Sequence, residues 1–169
     1  MTTELQRPMT PPDLLAYLMA LDISTTTFEH PPLFTVEDSK ALRGELPGGH
    51  CKNLFLRNKK GKMWLVVCPE DRELDLKDLG ARIGAGRVSF GSPDRLMTYL
   101  GVSPGAVTPF AAVNDVKADV EVVLDEKMMT ESVLNFHPLV NHQTTAISPH
   151  DLVSFLASVG HPPQIIDLR

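Results

Sequence analysis

The sequence predicts an α+β fold, a single domain with a mixed, largely antiparallel central sheet packed by helices. Three observations carry this expectation. Short β-prone runs and amphipathic segments interleave without the regular βαβ alternation of a doubly wound sheet. Residues 52–57 and 63–68 flank Asn58-Lys59-Lys60-Gly61, a polar turn, and so form a hairpin. Several apolar segments begin on helix-capping signals. The 169 residues, 43% hydrophobic and 22% charged, match one globular domain.

Residues 1–9 read as a flexible tail, with the folded domain over 10–169. A helix is predicted over 11–21, where Thr10 caps, Asp13 completes a capping box, and Leu14, Leu15, Leu18 and Leu21 form the apolar face. The β-branched stretch 24–28 and the turn at His30-Pro31-Pro32 follow. Thr35 and Asp38 then repeat the capping pattern for a short helix ending near Gly44, and 45–50, with Pro47-Gly48-Gly49, reads as a flexible loop.

Beyond the hairpin, Leu74, Leu76 and Leu79 mark a short helix, 87–90 a strand, and Ser92-Pro93 a helix that stops at Gly101. Residues 102–109 form a shaped loop; 120–124, 133–136 and 144–147 read as strands. Ser148, Pro149 and Asp151 open a last helix, closed by Gly160, and the chain after His161 is short and proline-interrupted.

Composition narrows the function. No apolar run approaches the roughly 18–20 residues that cross a bilayer, and the N-terminus lacks a basic segment followed by an apolar one, so a cytoplasmic protein without membrane contact is expected. A net charge of −5 disfavours a protein that grips nucleic acid by a broad basic face; DNA binding is not expected, and any RNA contact is local. Cys51 and Cys68 are too few for a disulfide scaffold and do not make a zinc quartet.

Four features can carry chemistry. Lys52, at a strand start beside Asn53, offers a charge that binds phosphate or polarises a carbonyl. Arg87 and Ser89 share a second strand. The loop Gly105-Ala106-Val107-Thr108-Pro109 lets a ligand approach backbone N–H groups that can stabilise an oxyanion. His137, between Phe136 and Pro138, can position water or a hydroxyl near neutral pH. The histidines lack the His-Glu-x-x-His spacing, and the chain has no Gly-x-Ser-x-Gly elbow, Walker A loop or dinucleotide fingerprint, so no metal and no cofactor are expected. Alone, these features support a ligand-binding α+β domain.

His30-Pro-Pro-Leu-Phe-Thr-Val-Glu-Asp-Ser, Cys51-Lys-Asn-Leu-Phe-Leu, Gly101-Val-Ser-Pro-Gly-Ala-Val-Thr-Pro-Phe and Phe136-His-Pro-Leu-Val-Asn together resemble the YbaK/prolyl-tRNA editing-domain family over most of residues 10–160, closest to its stand-alone alanine-specific ProXp-ala (PrdX) branch. The resemblance implies a trans-acting deacylase that hydrolyses mischarged Ala-tRNA(Pro), with the tRNA(Pro) acceptor end and prolyl-tRNA synthetase as partners. It implies Lys52, His137 and Gly105 as catalytic residues. Asn53, Arg87, Ser89, Ala106, Val107, Thr108 and Pro109 are implied for substrate binding, Gly105 to Pro109 being the family's GxxxP loop. The rival readings are the same fold editing serine- or cysteine-charged tRNA, and a non-catalytic module that binds tRNA or a synthetase.

Overall fold

The computed structural model describes residues 8–32 and 46–169; the expected helix between Thr35 and Gly44 lies outside them. Helix α1 (Pro11–Ala20) starts as its capping box dictates: Thr10 Oγ1 accepts from Asp13 N–H and the Asp13 carboxylate accepts from Thr10 N–H. Met9 N–H donates to Asn114 Oδ1 at 2.8 Å, so the chain is already tied to the body ahead of α1.

Strand β1 (Thr26–Glu29) follows, then β2 (Gly49–Asn58) and β3 (Met63–Pro69), the predicted hairpin, in register from Cys51 opposite Pro69 to Arg57 opposite Met63. Asn58 shapes its turn, with Oδ1 accepting from Lys60 and Lys62 N–H. Next come α2 (Leu76–Arg82), β4 (Val88–Phe90), α3 (Pro93–Leu100), β5 (Val120–Asp125), β6 (Leu134–Phe136), β7 (Gln143–Ile147), α4 (Pro149–Ser158) and β8 (Gln164–Ile166). Ser92 and Ser148 cap α3 and α4 through their hydroxyls, and Gly101 closes α3 in the left-handed region at φ 68°.

The strands form one mixed sheet in the order β1-β7-β6-β2-β3-β5-β8, with β4 also paired to β2. The hairpin signal foretold the antiparallel β2–β3 pair; β1 with β7, β2 with β4 and β6 with β7 are antiparallel as well, while β2 with β6, β3 with β5 and β5 with β8 are parallel. Strand β8 falls in the segment expected to be an irregular tail: Gln164, Ile165 and Ile166 run beside Val123, Leu124 and Asp125 and cover the edge of β5. Short 3-10 turns at Pro109–Asn114 and Glu126–Thr130 were not anticipated either.

Alternation along β2 and β3 divides the interior. Phe55, Met63, Leu65 and Val67 face the larger core with Leu14, Leu18, Leu96, Phe110 and Phe155. Leu56, Trp64, Val66 and Cys68 face a smaller core under α2 with Leu79 and Ile83. Burial on both faces explains why 63–68 is an almost unbroken apolar run rather than an alternating one. Each Phe or Leu sunk here contributes about 1.5–3 kcal/mol.

Candidate active site

Strand β2 has a split edge. It pairs with β6 only through Gly49 and His50 and with β4 only through Leu56 to Asn58. No described strand pairs that edge between them. Gly49 N–H donates to Val133 C=O and Phe55 C=O accepts from Gly91 N–H, both on this side. With a two-residue period, the N–H and C=O of Asn53 therefore also point into the gap. Gly48 makes the entry possible: at φ 99° any Cβ would meet the Val133 side chain at 2.3 Å.

A cleft of about 280 Å³ opens at this gap, lined by Asn53, Leu54, Phe55, Phe90, Gly91, Pro93, Leu96, Pro104 and Val107. It brings Asn53, in the middle of β2, together with Val107 of the Gly105–Pro109 loop and the preceding Pro104, features far apart in sequence. Asn53 Oδ1 is buried and has no hydrogen-bond partner among the described residues. An unmet buried acceptor costs about 1–3 kcal/mol, a cost that a donor from a bound molecule removes.

Within the loop the residues divide by role. Ala106 is buried and its N–H is spent on Ser103 C=O at 2.9 Å, which removes it as an oxyanion donor. Thr108 is fully buried and its hydroxyl accepts from Phe110 N–H, capping the turn that Pro109 opens. Val107 lines the cleft, and Gly105 is exposed between the lining residue Pro104 and the buried Ala106, while Ala106, Thr108 and Pro109 are buried and hold the loop's shape.

Lys52 neighbours Asn53 on β2 but projects to the opposite face, across from Cys68. It is half-buried and makes no ion pair among the described residues. Burial raises the Cys68 thiol to about 11, against the opposing pull of the Lys52 charge. Burial raises the Cys51 thiol further still, so both cysteines are neutral near pH 7. Among the described residues the Lys52 ammonium therefore meets no counter-charge, on the face of β2 opposite to the Asn53 side chain.

His137 follows β6, half-buried. Its Nδ1 lies 2.9 Å from Gln143 C=O; a carbonyl only accepts, so Nδ1 carries the proton and Nε2 keeps its lone pair when the ring is neutral. Burial pushes its pKa below the usual histidine value of 6.5, and the neighbouring His30 ring, 6.2 Å away, adds to this. His137 is tied to the loop by Phe136, whose ring meets Phe110 edge-on.

Arg87 and Ser89 stand apart. Arg87 is exposed and lines a separate cavity of about 580 Å³ with Leu76, Lys77, Ala81, Gly86 and Val88. Ser89 is exposed opposite Arg57 and does not line the cleft; the next residue, Phe90, does. Sequence reasoning missed Phe90, an aromatic residue in a β-prone run and so a core candidate by type. Among the described residues no group of three or more His, Cys, Asp or Glu side chains is placed to hold a metal ion.

Comparison with known proteins decides the family. Residues 30–155 match the family model described as the aminoacyl-tRNA editing domain. This chain belongs to that family. Among its relatives, the prolyl-tRNA editing protein ProX of Acetoanaerobium sticklandii is 39% identical over 92% of this chain and 95% of its own length. The prolyl-tRNA synthetase associated domain-containing protein 1 of Xenopus laevis is 40% identical over 91% of this chain and 94% of its own. A solved structure described as a candidate trans-editing enzyme for prolyl tRNA synthetase superposes with a TM-score of 0.69 at 19% identity, over 95% of this chain and 98% of that one, and shares the aminoacyl-tRNA editing fold. Editing is hydrolysis of the ester that joins an amino acid to the terminal ribose of tRNA.

Proposed function

We propose that this protein is a free-standing deacylase that removes alanine from mischarged tRNA(Pro), acting in the cytoplasm after prolyl-tRNA synthetase. The observation that carries the reading is the cleft at the split edge of β2, where the buried, unpartnered Asn53 Oδ1 and the Gly105–Pro109 loop meet. The names of the relatives, which refer to prolyl-tRNA editing and to prolyl-tRNA synthetase, support the choice of tRNA.

Ester hydrolysis requires a bond from a water oxygen to the carbonyl carbon, departure of the ribose oxygen, and transfer of a proton to that oxygen. The residues present suit these needs. Backbone N–H groups along the free edge of β2 and around Gly105 meet the developing oxyanion, and Lys52 supplies positive charge for it or for a phosphate. Asn53 Oδ1 accepts from a substrate hydroxyl or ammonium group. The proton passes through His137 Nε2 or through the vicinal ribose hydroxyl.

Specificity comes from size. One methylene in an apolar pocket is worth only about 1–3 kcal/mol, so a synthetase selects proline over alanine imperfectly, and a second, smaller site that excludes proline corrects the residue. Loss of ester is to be followed on alanyl-, seryl-, cysteinyl- and prolyl-tRNA(Pro), with Lys52→Ala as control. Selective, Lys52-dependent loss of alanine is the expected result. Preferential loss of serine or cysteine would move the specificity, and no turnover on any of the four would overturn the enzyme reading.

A further inference from the structure

Phe90 ends β4 with 60% of its surface exposed, yet it lines the Asn53 cleft. A large aromatic ring left in water beside a pocket is a surface on which a flat ligand can stack. Its support is rigid. Gly91 N–H donates to Phe55 C=O at 2.9 Å, and a Cβ on Gly91 would lie 2.4 Å from the Phe55 ring, so the backbone beside Phe90 is pressed against β2.

Register sets what the ring can reach. Phe90 pairs with Leu56, so it shares a face of β2 with Leu54 and Lys52. Lys52 and Leu56 are four positions apart, roughly 13 Å at about 3.3 Å per residue, a span that a nucleoside and an extended lysine side chain bridge together. Beyond Leu56 the strand leads to Arg57 and to the turn that carries the exposed Lys59 and Lys60, positive charge near this end of the sheet that phosphates can meet, whereas Lys62 is paired with Glu121 at 3.2 Å.

We propose that Phe90 is the stacking platform for the terminal base of the tRNA acceptor end, holding the nucleoside so that its aminoacyl ester falls between the Gly105 loop and Lys52. This rests on the deacylase reading, because it takes the ligand to be an aminoacyl-tRNA end. Stacking is indifferent to base identity, so Phe90 positions the substrate without selecting the tRNA.

The test uses uncharged acceptor-stem microhelix RNAs ending either in adenosine or in an abasic ribose, bound to the intact protein and to Phe90→Ala and Phe90→Trp. Stacking of about 1–3 kcal/mol per base converts to a loss of about 5- to 150-fold. Phe90→Ala should weaken the adenosine-ended RNA by that factor, leave the abasic RNA unchanged and unfold at the same temperature, while Phe90→Trp restores binding. With alanine esterified to the adenosine-ended RNA, Phe90→Ala should raise KM and spare kcat. Equal losses on both RNAs, or none on either, would overturn the stacking role even if the protein deacylates well; a protein partner for Phe90 would then be the better reading. Base-dependent binding through Phe90 without any turnover would instead retain the platform and overturn the deacylase.

Discussion

The rings of Phe110 and Phe136 meet edge-on, 6.1 Å between centroids and 88° between planes. Phe110 immediately follows the Gly105–Pro109 loop, and Phe136 immediately precedes His137. This one contact couples the loop beside the cleft to the imidazole that follows β6. Edge-to-face pairs are worth about 0.5–1.5 kcal/mol beyond their buried area. Phe136→Leu should therefore cost about 1–2 kcal/mol of stability in a denaturant titration. In the deacylation assay it should lower kcat more than it raises KM, because it loosens the imidazole and not the walls of the cleft.

The His137 pKa is lowered, chiefly by burial, and the sign of its effect on stability follows. Between the folded and unfolded values the unfolded chain binds more protons, so the contribution of neutral His137 is complete above the ordinary value of about 6.5. It is lost progressively as pH falls from there through the folded value. Wild-type protein should lose more stability than His137→Asn on acidification from pH 7 to pH 5, measured by thermal unfolding. If His137 Nε2 relays the proton, the activity of wild type should persist below pH 6.5, and His137→Asn should flatten the pH–rate profile. A profile that keeps its shape in the variant would assign the relay to the ribose hydroxyl.

Lys52 is half-buried without an ion pair among the described residues. Its removal breaks no salt bridge, so Lys52→Ala should unfold within a few degrees of wild type while kcat/KM falls by about 10²- to 10³-fold, the usual cost of deleting a preorganised transition-state donor. Lys52→Arg should recover little, since a guanidinium delivers its charge in a different plane.

Neither cysteine supplies a nucleophile under the proposed chemistry. With Cys68 raised to about 11 and Cys51 higher still, both should resist iodoacetamide in native protein at pH 7.5 and react in denaturant. A Cys51→Ala, Cys68→Ala double variant should keep turnover within a few-fold, whereas its loss would place a thiol in the reaction.

Remote from the cleft, His161 and Asp115 form a buried pair, Nε2 to Oδ2 at 2.9 Å, while His161 Nδ1 faces Val159 C=O. Asp115 also accepts from Asp119 and Val120 N–H, fixing the turn that leads into β5. Breaking such a pair by removing one partner costs about 3–5 kcal/mol. His161→Ala should lower the melting temperature substantially while sparing the Michaelis constant of the remaining folded protein.

Much of this was legible in the residues because it is local. The Thr10–Asp13 box, the Asn58 turn, the serine caps of α3 and α4 and the Gly101 stop are each decided within a few positions. Lys52, Asn53 and the Gly105–Pro109 loop were readable as chemistry-bearing types. What escaped was decided at long range. Gln164 to Ile166 carry no strand pattern of their own and become β8 because β5 offers a bare edge. Ala106 and Thr108 turn out to be structural because the core claims one and the following turn the other. Phe90 looks apolar in sequence, and only the splaying of β4 and β6 from β2 leaves it at a cleft.

The alternation of β2 between two cores also limits how such a protein can be re-engineered. Inserting or deleting one residue between Asn53 and Phe55 would put the two halves of β2 out of phase, so that either Lys52 and Asn53 exchange faces or Phe55 and Leu56 enter the wrong interiors. The four-residue turn after Asn58 has no such obligation and can be lengthened without moving anything upstream. New substrate ranges are therefore best sought by grafting at that turn and at the rim of the cleft, leaving the length of the central strand untouched.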